Sequence, residues 1–265
     1  MISTRPLVSV VIPTRNRLAL LQRAIDSVEA QSYPNVEIVL VDNHADVPLT
    51  RDQIKSSRPI TIARTPSKLL LPLSRNFGAD RANGEFISFL DDDDEIMPGK
   101  IEAHVAAFAS DRTLGYVYGN TRHIGPDGST LVVAGGPPEL VPFLRWRYIH
   151  TNALTLRKSV FDALRYNSEM STYEDVEFTA RLIRGHKGAH IPDVHAKWYR
   201  DNRPDQITRP NYRRAYDNWR RLCRMFDDVI ASDRDLRRFY HRKMFVLSVM
   251  YADVAQAGRS LFRAI

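Results

Sequence analysis

The sequence contains one cysteine, Cys223, so neither an intrachain disulfide nor a thiolate-bound zinc can form, in keeping with a reducing compartment. No apolar run approaches the roughly 18 residues that a membrane-spanning helix needs. The opening MISTRPLVSVVIPTRNR also lacks the charged, apolar and small-residue order of a secretory leader. A cytoplasmic protein is the expectation, with peripheral attachment to the inner membrane face as a further option. Internal repeats and low-complexity tracts are absent. What remains is a chain of 265 residues, 43% of them hydrophobic, enough for one generous domain or a domain with a helical appendage. A net charge of +7 favours anionic partners such as nucleotide diphosphates, nucleic acid or an acidic membrane surface.

The first half alternates between strand and helix patterns. The β-branched run Leu7 to Ile12, closed by Pro13, reads as a buried parallel strand. Leu18, Leu21, Ile25 and Val28 then recur at helical spacing, with Asn16 placed to cap. Val36 to Val41 forms the next strand and ends in Asp42, completing a βαβ unit. Ile60 to Ala63, a helix holding Ser74 to Arg81, and Glu85 to Leu90 extend a doubly wound sheet with right-handed crossovers. Pro98 opens a helix to about Ala109, and Tyr116 to His123 followed by Pro126-Asp127-Gly128 predicts a hairpin. Later the pattern weakens: Pro137-Pro138 reads as a flexible link, Thr151 to Leu156 as a strand, and Glu174 to Arg184 as a helix.

In such sheets ligands bind beyond the carboxyl ends of the strands, where this chain carries Thr14-Arg15, Asp42-Asn43 and the run Asp91-Asp92-Asp93-Asp94. Four adjacent carboxylates repel one another, and a divalent cation is the simplest compensation; all-oxygen ligands suit Mg2+ or Mn2+. A solvated acidic loop capping the next helix is the alternative.

The stretches VSVVIPTRNR, IVLVDN, LSRNFGADRANGEFISFLDDDDEIMP and YEDVEFTARL, in this order and spacing, resemble the successive motifs of family 2 glycosyltransferases over roughly residues 7 to 200. The resemblance implies the α/β GT-A fold, a Rossmann-like, mostly parallel central sheet flanked by helices, here with a C-terminal helical extension. It divides the chain into a catalytic domain over 1–205, with a donor half to about 125 and an acceptor half from about 126, and a basic, aromatic-rich tail over 206–265. It places Pro13, Thr14, Arg15 and Asp42 around base and ribose, where a carboxylate can accept from a base N–H or ribose hydroxyls. Asp93 becomes the metal ligand, with Asp91 and Asp92 nearer the ribose, and the cation bridges the donor phosphates. Arg75 and Asn76 fall near the diphosphate or brace the acid loop. Asp175 corresponds to the general base of an inverting single displacement, with Glu174 orienting it or holding an acceptor hydroxyl. Acids in a first helical turn are also favoured by the helix dipole alone.

His195 lies where some relatives close the site, within reach of metal or diphosphate, unless its role is structural. Arg200 and Arg203 either neutralise phosphate or face solvent. His150, Thr151 and Asn152 precede a strand that borders the acceptor cleft in this family. The resemblance implies a UDP-, dTDP- or GDP-sugar donor and a glycan, lipid-linked or small-molecule acceptor. A QxxRW motif is missing, which speaks against processive polymer synthesis coupled to secretion. Pro13 to Arg17 lacks the glycines of a nucleotidyltransferase loop. A nucleotide-binding scaffold or a nucleic-acid-binding protein are the non-catalytic readings, the latter opposed by the acid cluster.

In the tail, Tyr212, Tyr216, Trp219, Cys223 and Phe226 share a helical face, as do Leu236, Tyr240, Leu247 and Tyr251. Interleaved arginines, among them Arg213, Arg220 and Arg237, fit either an aromatic face packed on the domain or contact with an acidic membrane; an exposed stripe instead favours a homodimer.

Overall fold

The computed structural model describes residues 5–146, 148–200 and 212–250. Its first half is built from β1 (Val8–Thr14), α1 (Leu18–Glu29), β2 (Val36–Asp42), β3 (Ile60–Arg64), α2 (Leu71–Ala79), β4 (Phe86–Phe89), β5 (Glu95–Ile96) and α3 (Lys100–Ser110). There follow β6 (Leu114–Ile124), β7 (Thr130–Val133), α4 (Leu140–Trp146), β8 (Leu154–Arg157), α5 (Lys158–Leu164), α6 (Glu174–Gly185) and β9 (Lys187–Tyr199). The tail supplies α7 (Tyr212–Met225), α8 (Asp227–Ser232) and α9 (Arg234–Met250).

One sheet runs β3-β2-β1-β4-β8-β6-β9-β5, with β7 pairing the far end of β6. The β3-β2-β1-β4 half is parallel, β8 is antiparallel to both β4 and β6, and β9 is parallel to β6. Period-2 alternation sorts the parallel strands onto two cores. Val10, Ile12, Ile38 and Leu40 pack under α1 and α3, whereas Val11, Val39 and Val41 face α2 and the core shared with the later helices. Both faces are covered, so β1 and β2 read as continuous apolar runs. Pro13 follows the last β1 residue in register with β4, Val11 opposite Phe89, where its missing N–H costs no ladder bond. Helix α2 sits close because of Gly78, where a Cβ would lie 2.4 Å from Val11 and 2.7 Å from Val41.

Asn16 does not cap α1. Its backbone is left-handed (φ 59), and its side chain bonds Asp46, leaving Arg17 as the N-cap residue without a side-chain cap bond. Helix α4 forms just beyond the expected Pro137-Pro138 link, because Phe143 and Leu144 bury into the core that holds Val11, Val41 and Trp219. The expected strand from Thr151 begins with a 3-10 turn (Thr151–Ala153), and only Leu154–Arg157 is strand. Strand β9 is the largest element that periodicity does not announce. It carries Pro192 and Asp193 at a register shift opposite Gly119 and Asn120, and the Asn120 amide donates to the Pro192 carbonyl at 2.7 Å.

The aromatic stripe of the tail is core. Tyr216, Trp219, Phe226, Leu236, Tyr240 and Leu247 are buried and join one cluster with Tyr166, Val176 and Phe178, while Arg213, Arg214 and Arg237 remain exposed. Tyr251 and the Tyr212 side chain lie outside the described residues. Trp219 is the centre: it stacks on Tyr240 at 4.5 Å, meets Tyr173 edge-on at 5.3 Å, and has Lys243 4.3 Å above its ring. Trp219→Ala is expected to destabilise the fold by ~3–5 kcal/mol, the usual cost of emptying a buried tryptophan site. A urea midpoint unchanged from wild type would show that the tail does not share the domain core.

Candidate active site

The carboxyl ends of β1, β2 and β4 meet at one edge. Leu90 continues the ladder by donating to the Val11 carbonyl, and the chain then folds into a tight turn in which Asp94 N donates to the Asp91 carbonyl at 3.1 Å. All four aspartates are thus carried on one short turn, and their compensation comes from distant elements. Arg75 of α2 donates to Asp91 at 2.7 Å. Thr14 donates to Asp92 at 2.7 Å, and Arg17 reaches Asp92 at 3.1 Å and Asp93 at 3.2 Å. Asp94 turns inward, accepting from the Asn152 amide and from Tyr199 N at 2.9 Å.

This arrangement splits the four acids. Burial pushes the Asp91 carboxyl up, but the Arg75 guanidinium beside it wins and holds it below the usual range. Burial raises Asp92 to about 6 in spite of its Thr14 and Arg17 partners. Asp94 is pushed well above the ordinary range by burial and by the charge of Asp91. Asp91 and Asp93 are the more exposed pair, their side chains 25% and 18% accessible against 7% for Asp92.

A cavity of about 510 Å³ opens beside the turn, between the end of β1, the first turns of α1 and the loop after β2. Leu18, Leu21 and Leu49 supply an apolar wall, and Thr14, Arg17 and Asp42 its polar side. Asp42 is 1% exposed and accepts from Ala45 N at 2.8 Å, Leu49 N at 3.1 Å and Arg64 at 2.7 Å. Burial raises its pKa, yet these three donors lower it further, so the carboxylate is ionised and shapes the 43–49 loop that walls the cavity. A nucleotide contact through Asp42 would add to oxygens already engaged. Pro13 is buried just behind Thr14. Arg15 does not itself line the cavity and bonds the His44 carbonyl and Asp46, which does.

Across Arg75 lies the start of α6. Tyr173 takes a left-handed backbone (φ 60), held from the tail by its packing on Trp219, and turns the chain so that Glu174 and Asp175 lead the helix. Glu174 is 3.7 Å from Arg75, and Asp175 is exposed. Burial, then the neighbouring charge of Asp175, pushes Glu174 up to about 7. His150 completes this side: burial lowers its pKa against the opposing pull of Asp91 and Asp175, and its ring lies 5.6 Å from Trp198. Arg75 itself is almost wholly buried. Its Nε and Nη1 lack hydrogen-bond partners among the described residues, so it has donors to spare next to the acid turn.

Three of the expected contact residues have partners within the fold. Asn76 spends its amide on both backbone groups of Tyr166, at 2.8 and 3.0 Å, and so braces the ring that lies under Arg75. Asn152 is fully buried and ties Asp94 to the Asp91 amide, which removes it from an acceptor cleft; Thr151 beside it is buried as well. His195 is held inside the fold. As an interior residue of β9 it lies against Gly119, where a Cβ would be 2.2 Å from its Nδ1, and that Nδ1 pairs with His104 Nε2 of α3 at 2.8 Å. Arg200 is exposed beside Trp198, and Arg203 lies outside the described residues.

Among the described residues no three His, Cys, Asp or Glu side chains surround a common point for an ion. Magnesium and manganese need no such cage, since one or two carboxylates with substrate phosphates and water complete their shell. The more accessible pair, Asp91 and Asp93, fits a cation brought in with a diphosphate.

Sequence reasoning passed over Arg17, although it is the residue that engages two of the aspartates. Its neighbour Arg15 is equally placed in the motif, and only helix α1 decides which arginine faces the turn. Buried Lys100 was also missed: it donates to Ser88 at 2.8 Å and to the carbonyls of Asn152 and Leu154 at 2.6 and 3.3 Å, and no local pattern marks it.

A half-parallel, half-mixed sheet with a cavity and an acid turn at its carboxyl edge defines the GT-A class of α/β fold. S. aureus TarS (residues 1–349) shares it, with a TM-score of 0.63 at 18% identity over 82% of this chain and 64% of that one. The same protein in complex with UDP-GlcNAc gives a TM-score of 0.62 at 18% identity over 82% of this chain and 65% of that one. The sequence model described as "Glycosyl transferase family 2" matches residues 9–167, and the chain belongs to that family and is a glycosyltransferase. The match ends before Glu174 and Asp175. A GalNAc(5)-diNAcBac-PP-undecaprenol beta-1,3-glucosyltransferase of Campylobacter jejuni is 23% identical over 98% of this chain and 87% of that protein. The amylovoran biosynthesis glycosyltransferase AmsB of Erwinia amylovora is 26% identical over 65% of this chain and 62% of its own length. Two glycosyltransferases of Haemophilus influenzae are matched over only 38% and 40% of their length.

The raised Glu174 pKa has a testable sign. The folded state keeps this proton up to about pH 7, whereas the unfolded chain releases it near 4.5, so its contribution to stability is full below 4.5 and is lost as pH rises through 7. In urea titrations at pH 5, 6 and 7, wild type should therefore lose stability relative to Glu174→Gln as pH increases. Parallel profiles would refute the raised pKa.

Proposed function

We propose that this glycosyltransferase moves a sugar from a nucleoside-diphosphate sugar, UDP-linked in the first instance, to an acceptor hydroxyl with inversion at the anomeric carbon. The observation that carries this reading is buried Arg75, which pairs with Asp91 of the acid turn, faces Glu174 across the site and keeps unused donors between them. Unsatisfied buried donors each cost about 1–3 kcal/mol, and an anionic ligand at this point removes that cost. The UDP and UDP-GlcNAc complexes of TarS support the donor class.

In this reading the base occupies the cavity walled by Leu18, Leu21 and Leu49, and Asp42 holds the loop that closes it. The diphosphate extends toward Asp91 and Arg75. Asp91 and Asp93 would hold Mg2+ or Mn2+ together with the donor phosphates, and such a cation, when bound, neutralises the charge that grows on the leaving diphosphate. Asp175 takes the proton from the acceptor hydroxyl as its oxygen bonds to the anomeric carbon and the bond to the diphosphate breaks on the opposite face. Glu174, held near neutrality at about pH 7, spares Asp175 a second full charge beside it. The lipid-linked substrate in the name of the C. jejuni relative supports a glycan acceptor on a lipid diphosphate carrier.

Calorimetric titration with UDP, dTDP, GDP, ADP and CDP, each with Mn2+ and with chelator, is expected to show metal-dependent UDP binding that Asp93→Ala abolishes. Binding of none of the five would overturn the donor-site reading. Asp175→Asn should bind UDP as wild type does while turnover of the sugar nucleotide falls ~10²–10⁴-fold, the usual contribution of a general base. Undiminished turnover would remove Asp175 from the mechanism.

A further inference from the structure

Strand β9 ends beside the acids of the site, and period-2 alternation sends its last side chains to opposite faces. Lys197 and Tyr199 turn toward α1, where both bond Glu95, at 2.8 and 2.6 Å. Trp198, between them, faces the other way, toward His150, with ring centres 5.6 Å apart. It is paired in register with His123 of β6, whose ring meets the indole edge-on at 4.6 Å and sets its tilt. Trp198 and His150 are both partly exposed, and the guanidinium of exposed Arg200 lies 5.3 Å over the indole. That face of the ring therefore borders solvent and not core. His150 ties the indole to the reacting centre. It stands two residues before Asn152, which holds the Asp91 amide, and it feels the charges of Asp91 and Asp175. Its Nδ1 accepts from Asn152 N at 3.3 Å, so the neutral ring carries its proton on Nε2, as a donor.

We propose that Trp198 is the platform of an acceptor subsite that takes a pyranose: one C–H face of the sugar lies on the indole, His150 donates to a ring substituent, and the hydroxyl to be glycosylated turns to Asp175. This deepens, and rests on, the reading of Asp175 as the acceptor-side base. An accessible aromatic surface with a placed donor at its edge and a carboxylate beyond it supplies what a saccharide needs, an apolar face to lie on and a few polar groups to orient it. The C–H groups of a pyranose carry small positive charge and meet the negative face of the indole, while the hydroxyls around its rim stay hydrated. The nucleotide cavity, between α1 and the loop after β2, includes none of these side chains, so donor and acceptor do not compete for them. Stacking reads a ring face. The subsite therefore selects a cyclic sugar with an unobstructed C–H face, and an acyclic polyol has none to offer.

The chain holds three tryptophans, so protein labelled with 5-fluorotryptophan gives three fluorine resonances, and Trp198→Phe assigns one of them. Methyl β-D-glucopyranoside and methyl β-D-galactopyranoside are titrated into the full chain with and without UDP and Mg2+, and ribitol serves as the acyclic control. The Trp198 resonance should shift with at least one pyranoside and stay still with ribitol. In saturation-transfer NMR the protons of one face of that sugar should take up more saturation than those of the other. Trp198→Ala should bind the pyranoside about tenfold more weakly, one stacking contact having been lost. Should the alanine variant fail to fold, the wild-type resonance decides by itself. A tryptophan that merely braces His150 predicts a silent Trp198 resonance and unchanged pyranoside affinity in Trp198→Ala. Either result, or an equal shift with ribitol, overturns the platform. Wild type that binds no UDP, or Asp175→Asn with undiminished turnover, would instead remove the donor or base reading, and the pyranoside shift at Trp198 would stand apart from both.

Discussion

Four carboxylates on consecutive residues at the end of β4 are the constraint around which the site is built. Left to themselves they would repel, and the turn would open. Each is instead met by a group from a different part of the chain: Asp91 by Arg75 on α2, Asp92 by Thr14 at the end of β1, Asp93 by Arg17 at the start of α1, and Asp94 by Asn152 and the backbone of Tyr199. Formation of the turn therefore requires β1, α1, α2, the 3-10 turn and β9 to be in place together. The compensation is also incomplete by design of the chemistry, since Asp92 and Asp94 stay raised and Arg75 keeps spare donors. A site that is satisfied by its own groups has little to gain from a ligand, whereas this one has both charge and donors in reserve.

The inner layer behind the turn consists of neutral contacts to a buried cation. Lys100 has its charge disfavoured by burial, which lowers its pKa to about 7, and it donates to Ser88 and to the carbonyls of Asn152 and Leu154. Asn152 in turn fixes the Asp91 amide and the Asp94 carboxylate. Helix α3 thereby bears on the position of Asp91 through Asn152. The His104–His195 pair belongs to the same layer, joining α3 to β9 away from solvent.

The tail acts on the other side of the site through packing. Trp219 supports Tyr173, whose left-handed backbone presents Glu174 and Asp175, and Asn218 bonds the hydroxyls of Ser171 and Thr172, the two residues before Tyr173. A segment that reads as an appendage is thus part of the wall against which Glu174 and Asp175 are set.

Residues 7 to 110 could be read in the sequence nearly element by element, because a strand buried on both faces and an amphipathic helix each carry their period in adjacent residues, and a run of four aspartates at a strand end needs no neighbour to be noticed. The aromatic stripe of the tail was equally visible. Strand β9 was not, since its charged and proline-bearing sequence becomes a strand only by pairing with β6, and α4 forms because two of its residues find a core. The site divides along the same line. Asp91, Asp93, Glu174 and Asp175 could be named from motif and position. That Arg17 rather than Arg15 meets the acids, that Asn76 and Asn152 brace instead of bind, and that His195 turns inward to His104 were decided by contacts between residues far apart in the chain, and local sequence holds no record of such contacts.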